Sequence, residues 1–351
     1  MTNPAATMLP RWRIHPIAEF ESLASTWDTL QSMAAPVPVL HSSFMRAGLR
    51  HFGTGRERLA VCGEADAPVA MGIFTRLKAG NWQTFQPSQF PLGPFLIRDG
   101  IGIETLLPGL TGRLPGFPVV TSLTQVDSQF VRPPGTSGTV RSIPYIDTAW
   151  VDVVGTFDDY WSARGKNLRH NVKRQIAKLA ESRTSTALEV VEQPRDVARA
   201  VAEYGRLESA GWKAGEGTAV QAGTPQGNFY KAMLEAFCAD GQGRIYAYRI
   251  GDRIAAVDLC VEQGDVLVVL KTAYDEAQKS VSPATLMRHE YFRRIFDEGR
   301  LRRIEFYGRV MEWHTRWTDR RRPLVHVNHY RWLWMKRMRE RSNPAATSLT
   351  T

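Results

Sequence analysis

The chain is poor in cysteine: Cys62, Cys238 and Cys260 are its only three among 351 residues. They lie far apart with no Cys-x-x-Cys spacing, which speaks against a thiolate metal site or a disulfide framework and leaves them as small core hydrophobes in a reducing compartment. Histidine is sparse too. His289, His314, His326 and His329 show no His-x-x-x-His spacing backed by a carboxylate, so no metal is expected. No run approaches the roughly 18 apolar residues of a membrane-spanning helix. Residues 1–10 carry neither the basic nor the apolar segment of a secretory leader. A cytoplasmic protein is therefore expected. Acidic residues are outnumbered, 35 against 45 Lys and Arg, for a net charge of +10. The excess is local, because between Arg288 and Arg341 there are 16 Lys/Arg and 7 Asp/Glu. Such a field favours an anionic partner: a nucleotide-bearing donor, a phosphorylated acceptor, RNA or an acidic membrane surface. A solvated arginine-rich surface is the simpler alternative.

What is present fills an ordinary globular core. The hydrophobic fraction is 43%, with ten Trp, fifteen Phe and ten Tyr, and the length suits two domains of about 150 residues. Periodicity predicts a strand at 11–15, helices at 19–33 and 42–52, and strands at 59–62, 69–77 and 82–85. Beyond a proline-rich loop at 86–94 follow a helix near 101–110 and strands near 117–122 and 140–154. The second half reads as a helix or helix pair over 157–181, a strand at 187–192, and helices at 195–209 and 226–239. A three-stranded meander follows over 245–274, then a helix from Pro283 to Glu298 and a strand at 303–307. Residues 58–85 and 244–270 match strand for strand with one gap, which implies two copies of one unit rather than a solenoid. The expectation is an α/β protein with mixed sheets in two tandem domains, 1–150 and 151–341, with a disordered tail at 342–351.

The order strand–strand–strand–helix–strand over 245–307 has a physical consequence. A crossover helix makes the last strand parallel to the third. Should the two splay apart, the backbone of Val268, Val269 and Leu270 is left unpaired and can bind an extended ligand. Ser282 suits the cap of the following helix and Pro283 its first position. The amides of Ala284 and Thr285 then open a site for a diphosphate.

The run Lys271-Thr-Ala-Tyr274-Asp275-Glu, Ser280-Val-Ser282-Pro283-Ala284-Thr285-Leu286 resembles the BioF2-like or CelD-like branch of the GNAT acyltransferases. Three further pieces match: the basic helix at 166–178, Glu208-Ser-Ala-Gly-Trp212-Lys213 with Gly215 and Gly217, and the strand into Glu305-Phe-Tyr-Gly308. The likeness covers about 152–334, with a weaker echo over 11–150. It is also similar to the Fem-type aminoacyl transferases, which pair two such halves. The resemblance implies two tandem GNAT-like domains, the first degenerate, and acyl-CoA as co-substrate, its pantetheine arm in the splayed-strand gap. The sequence departs from the pattern at Ala284, where a Gly is usual, at His314, which replaces a Lys while Trp317 is kept, and at Glu305 in place of an Asp.

Direct attack of an amine on a thioester needs a base, oxyanion donors and a proton for the thiolate. Glu305 is the first candidate base, against a salt bridge to an arginine. Asp258 interrupts an apolar strand and is the second, against an outward-facing strand residue. Tyr274 can protonate the thiolate, with Asp275 beside it, against a structural Tyr-Asp turn. Lys271 and His314 are candidate acceptor contacts. Trp212 and Lys213 suit an acceptor platform, against a core Trp anchoring the loop. Arg169, with Lys166, Lys173 and Arg174, can touch an anionic substrate, against a solvated basic face. The basic amphipathic run from Tyr330 to Arg339 can rest on an acidic bilayer at the inner face of the membrane, against packing of Trp332 or Trp334 on the domain. The acceptor implied is a small molecule or glycan precursor for the cell envelope or an exopolysaccharide. Alternatives are an aminoacyl-tRNA donor and a non-catalytic RNA- or membrane-binding protein on the same scaffold.

Overall fold

The computed structural model describes residues 11–64, 66–135, 138–210, 220–221 and 223–342. Two runs of elements repeat one another. The first comprises β1 (Trp12–Pro16), α1 (Phe20–Ala34), α2 (Ser42–Phe52), β2 (Arg58–Gly63), β3 (Pro68–Lys78), β4 (Asn81–Thr84), a short β5 (Phe95–Ile97), α3 (Ile103–Arg113), β6 (Val120–Asp127) and β7 (Val140–Asp152). Helices α4 (Phe157–Ser162) and α5 (Lys166–Glu181) precede the second. This comprises β8 (Thr186–Val191), α6 (Pro194–Ala210), α7 (Pro225–Ala239), β9 (Gly243–Ile250), β10 (Arg253–Gln263), β11 (Val266–Tyr274), α8 (Pro283–Glu298), β12 (Arg303–Phe306), α9 (Glu312–Trp317) and β13 (Arg321–Tyr330). Helix α10 (Leu333–Ser342) follows. Of the expected tail, residues 343–351 lie outside the described residues, and Ser342 ends α10.

Among the described residues the strands form one mixed sheet, ordered β1-β2-β3-β4-β6-β13-β7-β12-β11-β10-β9-β8, with β5 beside β3. The expected mixed α/β architecture of two like halves is what is found. The domain boundary is corrected. Residues 150 and 151 lie inside β7, which pairs with β12 and β13, while β13 pairs with β6. Each half thus has its last strand seated among strands of the other.

Apolar faces explain the layering. On one side of the sheet a shared core joins Trp27, Leu30 and Phe44 of α1 and α2 to Tyr204, Phe229 and Phe237 of α6 and α7. Buried Gln31 exchanges amide hydrogen bonds of 2.9 and 2.8 Å with Gln263 of the other half. On the opposite side each half has its own core, one around α3 and one around α4, α5 and α8. Helix α8 stops at Gly299, whose φ of 63° suits a left-handed C-terminal cap. The start of α2 is capped by His41, whose Nδ1 accepts from the Ser43 amide. The Ser42 hydroxyl donates to Asp28 at 2.6 Å.

Candidate active site

Strands β11 and β12 run parallel and pair at three positions, Val266 with Arg303, Leu267 with Ile304 and Val268 with Glu305. Their pairing ends there, although β11 runs on to Tyr274. The chain leaves β12 through Tyr307 and Gly308, the latter at φ 126°, a conformation open to glycine. A cavity of about 730 Å³ occupies the opening. Val269, Leu270, Lys271, Tyr274, Ser282, Pro283, Ala284, Thr285 and His314 all lie on its wall, joined by Glu208 of α6.

The first half repeats the notch and fills it. Strands β4 and β6 also pair in parallel at three positions. Beyond them Thr84 accepts from the Thr124 amide at 3.0 Å, and Thr124 donates to Gln86 at 2.6 Å. Gly93 of the proline-rich loop sits so close that a Cβ there would be 2.1 Å from the Thr124 carbonyl oxygen. The same loop forms one wall of a second cavity, about 250 Å³, bounded by Ser88, Gln89, Tyr145 and Tyr230. The two cavities share Leu270, Lys271, Tyr307, Gly308 and Arg309.

A bulge re-aims Lys271. The β10–β11 register slips between Leu259 and Cys260, so Leu270 is an extra residue in β11. Without it, Lys271 would share a face with Val269, which packs under α8. With it, the ammonium reaches Glu208 at 3.5 Å and lies 5.9 Å from the centre of the Tyr230 ring. Glu208 is nearly buried, and it accepts from the Tyr204 hydroxyl at 3.1 Å and the Val220 amide at 2.7 Å. Burial first, and then this carboxylate, hold the Tyr204 phenol well above its ordinary pKa. His314 lies against Trp313, ring centres 3.5 Å apart. Its Nδ1 accepts from the Met311 amide at 2.8 Å, which leaves the neutral ring's proton on Nε2. Burial, helped by Arg288, lowers its pKa to about 4, so at neutral pH the ring donates through Nε2 and is no base.

Several expectations are corrected. Asp258 is fully buried and off the cavity wall, gripped by Arg288 at 3.1 and 3.2 Å and by the Tyr291 hydroxyl at 2.9 Å. It anchors α8 to the sheet. Asp275 caps the 3-10 turn Glu276–Val281, its Oδ1 accepting from the Ala277 amide at 3.0 Å. Ser282 occupies the cap position of α8 at φ 54° without a capping side chain; its hydroxyl accepts from Asn171. The Thr285 amide turns inward to the Ser282 carbonyl at 2.9 Å. Val268 is a buried paired residue beneath the cavity, not part of its wall. Arg169 is exposed on α5 and donates to the Arg164 carbonyl. Trp212 and Lys213, with Gly215 and Gly217, lie outside the described residues.

Glu305 is also off the wall, only 1% exposed, on the other face of β12 from Phe306. It lies 3.0 Å from Arg322, whose guanidinium is already committed bidentately to Asp127 at 2.7 Å. Burial therefore outweighs Arg322 and lifts its pKa to about 7. Because the folded value exceeds the unfolded one, protonated Glu305 favours the native state. That stability is full below about pH 4.5 and is lost as pH rises through 7. Glu305→Gln should flatten this slope, worth on the order of 3 kcal/mol, in urea denaturation at pH 5 and pH 8 (~3 units apart). An unchanged slope would reject the assignment.

Residues 166–315 match the acetyltransferase (GNAT) domain family. This stretch of the chain is a GNAT domain. It holds β11, α8, β12 and every described residue on the main cavity wall. Solved structures extend the likeness of fold beyond the GNAT domain to nearly the whole chain. FemX superposes with a TM-score of 0.61 at 8% identity, over 90% of this chain and 98% of that one. A conserved protein of unknown function from Bacteroides thetaiotaomicron gives 0.57 at 11% identity, over 88% and 97%. The C-terminal domain of a putative lysylphosphatidylglycerol synthetase from Agrobacterium fabrum gives 0.56 at 10%, over 92% and 96%. No curated protein sequence matches the chain significantly. Among the described residues no group of three or more His, Cys, Asp or Glu could hold a metal ion, and no helix is long and apolar enough to cross a membrane.

Proposed function

We propose that the protein transfers an acyl group from a CoA thioester to an amine, or a hydroxyl, of a cell-envelope or exopolysaccharide precursor. The observation that carries this reading is the opening between β11 and β12, lined by strand backbone on one side and the start of α8 on the other. A pantetheine arm lies along Val269 and Leu270, and its diphosphate faces the positive end of α8 at Pro283 and Ala284. Lys279 adds cationic charge to the same wall. The acceptor enters through the second cavity and meets the thioester where the two cavities share walls.

In this reading the acceptor nitrogen attacks the carbonyl carbon and the C–S bond breaks. One ammonium proton passes to Glu208 before attack and on to solvent; after attack Tyr274 gives its proton to the departing thiolate and regains one from the nitrogen of the tetrahedral intermediate. His314 Nε2–H and Lys271 supply donors for the oxygen on which charge develops.

The test is a thermal-shift panel of acetyl-CoA, longer acyl-CoAs and charged tRNA. CoA thioesters should raise Tm in proportion to the logarithm of concentration over Kd. Ala284→Asp, which sets a carboxylate at the start of α8, should weaken that binding about tenfold. Stabilisation by charged tRNA alone would replace the donor, and indifference to Ala284→Asp would move the diphosphate elsewhere.

A further inference from the structure

Helix α10 is packed inside out. It turns Lys336 inward, where the ammonium donates to the Gly138 carbonyl at 3.0 Å. Leu333 and Trp334 meanwhile face solvent, Trp334 at 57% exposure. Burying an ammonium while leaving an indole in water opposes the transfer preference of both groups. Trp332 does not pack into the domain either; it is 39% exposed, its ring near-parallel to that of Trp334, centres 6.1 Å apart.

Two more apolar tips stand at the same end of the molecule. Phe117 is 63% exposed and follows Gly116, with both residues left-handed at φ 53° and 76°. A bulky residue rarely adopts that backbone, and here it drives the ring outward. The Phe117 ring lies 5.9 Å from Trp332, and the Arg331 guanidinium sits over it at 4.4 Å. The β3–β4 hairpin contributes Leu77 at 64% exposure, beside Arg76, whose guanidinium lies next to Gly116. Exposed Lys78, Arg113, Arg337 and Arg339 complete a basic surround.

We propose that this rim docks on an anionic lipid bilayer. Three separate elements (the β3–β4 hairpin, the loop before β6 and α10) each hold out an apolar side chain among cations. Aromatic and aliphatic tips at headgroup depth, with arginines on acidic headgroups, meet the requirements of shallow interfacial binding. RNA would stack on the flat rings but has no use for Leu77 and Leu333. Docking here brings the proposed acyl-transfer site to a membrane surface, and it stands independently of which donor that site takes.

The full-length protein, mixed with vesicles of phosphatidylcholine alone or with phosphatidylglycerol, should sediment with the anionic vesicles only, with a blue shift of tryptophan emission. Phe117→Asn with Trp334→Ser should weaken binding at least about tenfold while leaving Tm unchanged, since Asn tolerates the left-handed backbone. Arg337→Ala with Arg339→Ala should weaken it roughly 30-fold. Failure to bind anionic vesicles, or binding that both double variants leave intact, overturns the proposal. So does a homopolymeric RNA, or a dimer of this chain, that is lost with the same residues while vesicle binding persists.

Discussion

Arg288→Met should cost about 3–5 kcal/mol of stability, the usual penalty for leaving one partner of a buried ion pair uncompensated. Arg288 is held from three directions. It bonds Asp258 bidentately, donates to Thr272 and lies 4.1 Å over the Trp313 ring. Removing it strands a carboxylate that is fully buried. The penalty belongs to the orphaned charge rather than to the worth of the pair. Asp258→Asn combined with Arg288→Met should accordingly recover more than half of the loss. Urea midpoints of the wild type, both single variants and the double variant form the cycle that checks this. A single variant within about 1 kcal/mol of wild type would mean that the pair does not anchor α8.

Glu208→Gln should lower turnover by about 10²–10⁴, the usual contribution of a positioned base, with donor affinity preserved. The variant's amide oxygen can still accept from Val220, and its NH2 can donate to the Tyr204 hydroxyl, which keeps the Thr272 carbonyl as an acceptor, so the fold around α6 should hold. Thiol release from acetyl-CoA across a panel of amines measures the first effect, and the acetyl-CoA thermal shift measures the second. Glu305→Gln serves as the contrast, because Glu305 lies off the cavity wall and turnover should change little. Reversal of these two outcomes would return the base to β12 and discard the proton path through Glu208.

Much of the architecture was legible. The second meander announces itself through apolar strands broken by Gly251-Asp252 and Gln263-Gly264-Asp265, the first through turns at 63–68 and 79–81, and Pro283 and Gly299 mark the ends of α8. Strand β13 was not anticipated. Its run Arg321-Arg-Pro-Leu-Val-His-Val-Asn-His-Tyr buries Arg322 and His329 where a strand reading looks for aliphatic side chains. The partner that explains Arg322, Asp127, is 195 residues away. Strand β5 is three residues long and hidden behind a proline-rich loop. At the site, residues next to one another in sequence were easier to read than residues joined by folding. The turn from Ser282 to Thr285 could be placed on the cavity wall from its local pattern. Asp258 could be seen to interrupt an apolar strand, but Arg288, which neutralises it, lies a full strand and helix later. Glu208 was visible only as part of a family-like run, and its role on the wall depends on a β11 bulge that no local spacing reveals.

The exchange of β7 and β13 has a bearing on how this chain can be divided. The matched span 166–315 holds neither β7 nor β13, so that span cut free would lose β7 and leave β12 with an open edge, and the first half alone would lose β13, which covers β6. Severed fragments should be sticky and poorly folded apart, yet able to complement one another when mixed. The chain behaves as an interlocked pair, and any duplication that produced it has passed the point at which either copy could be released.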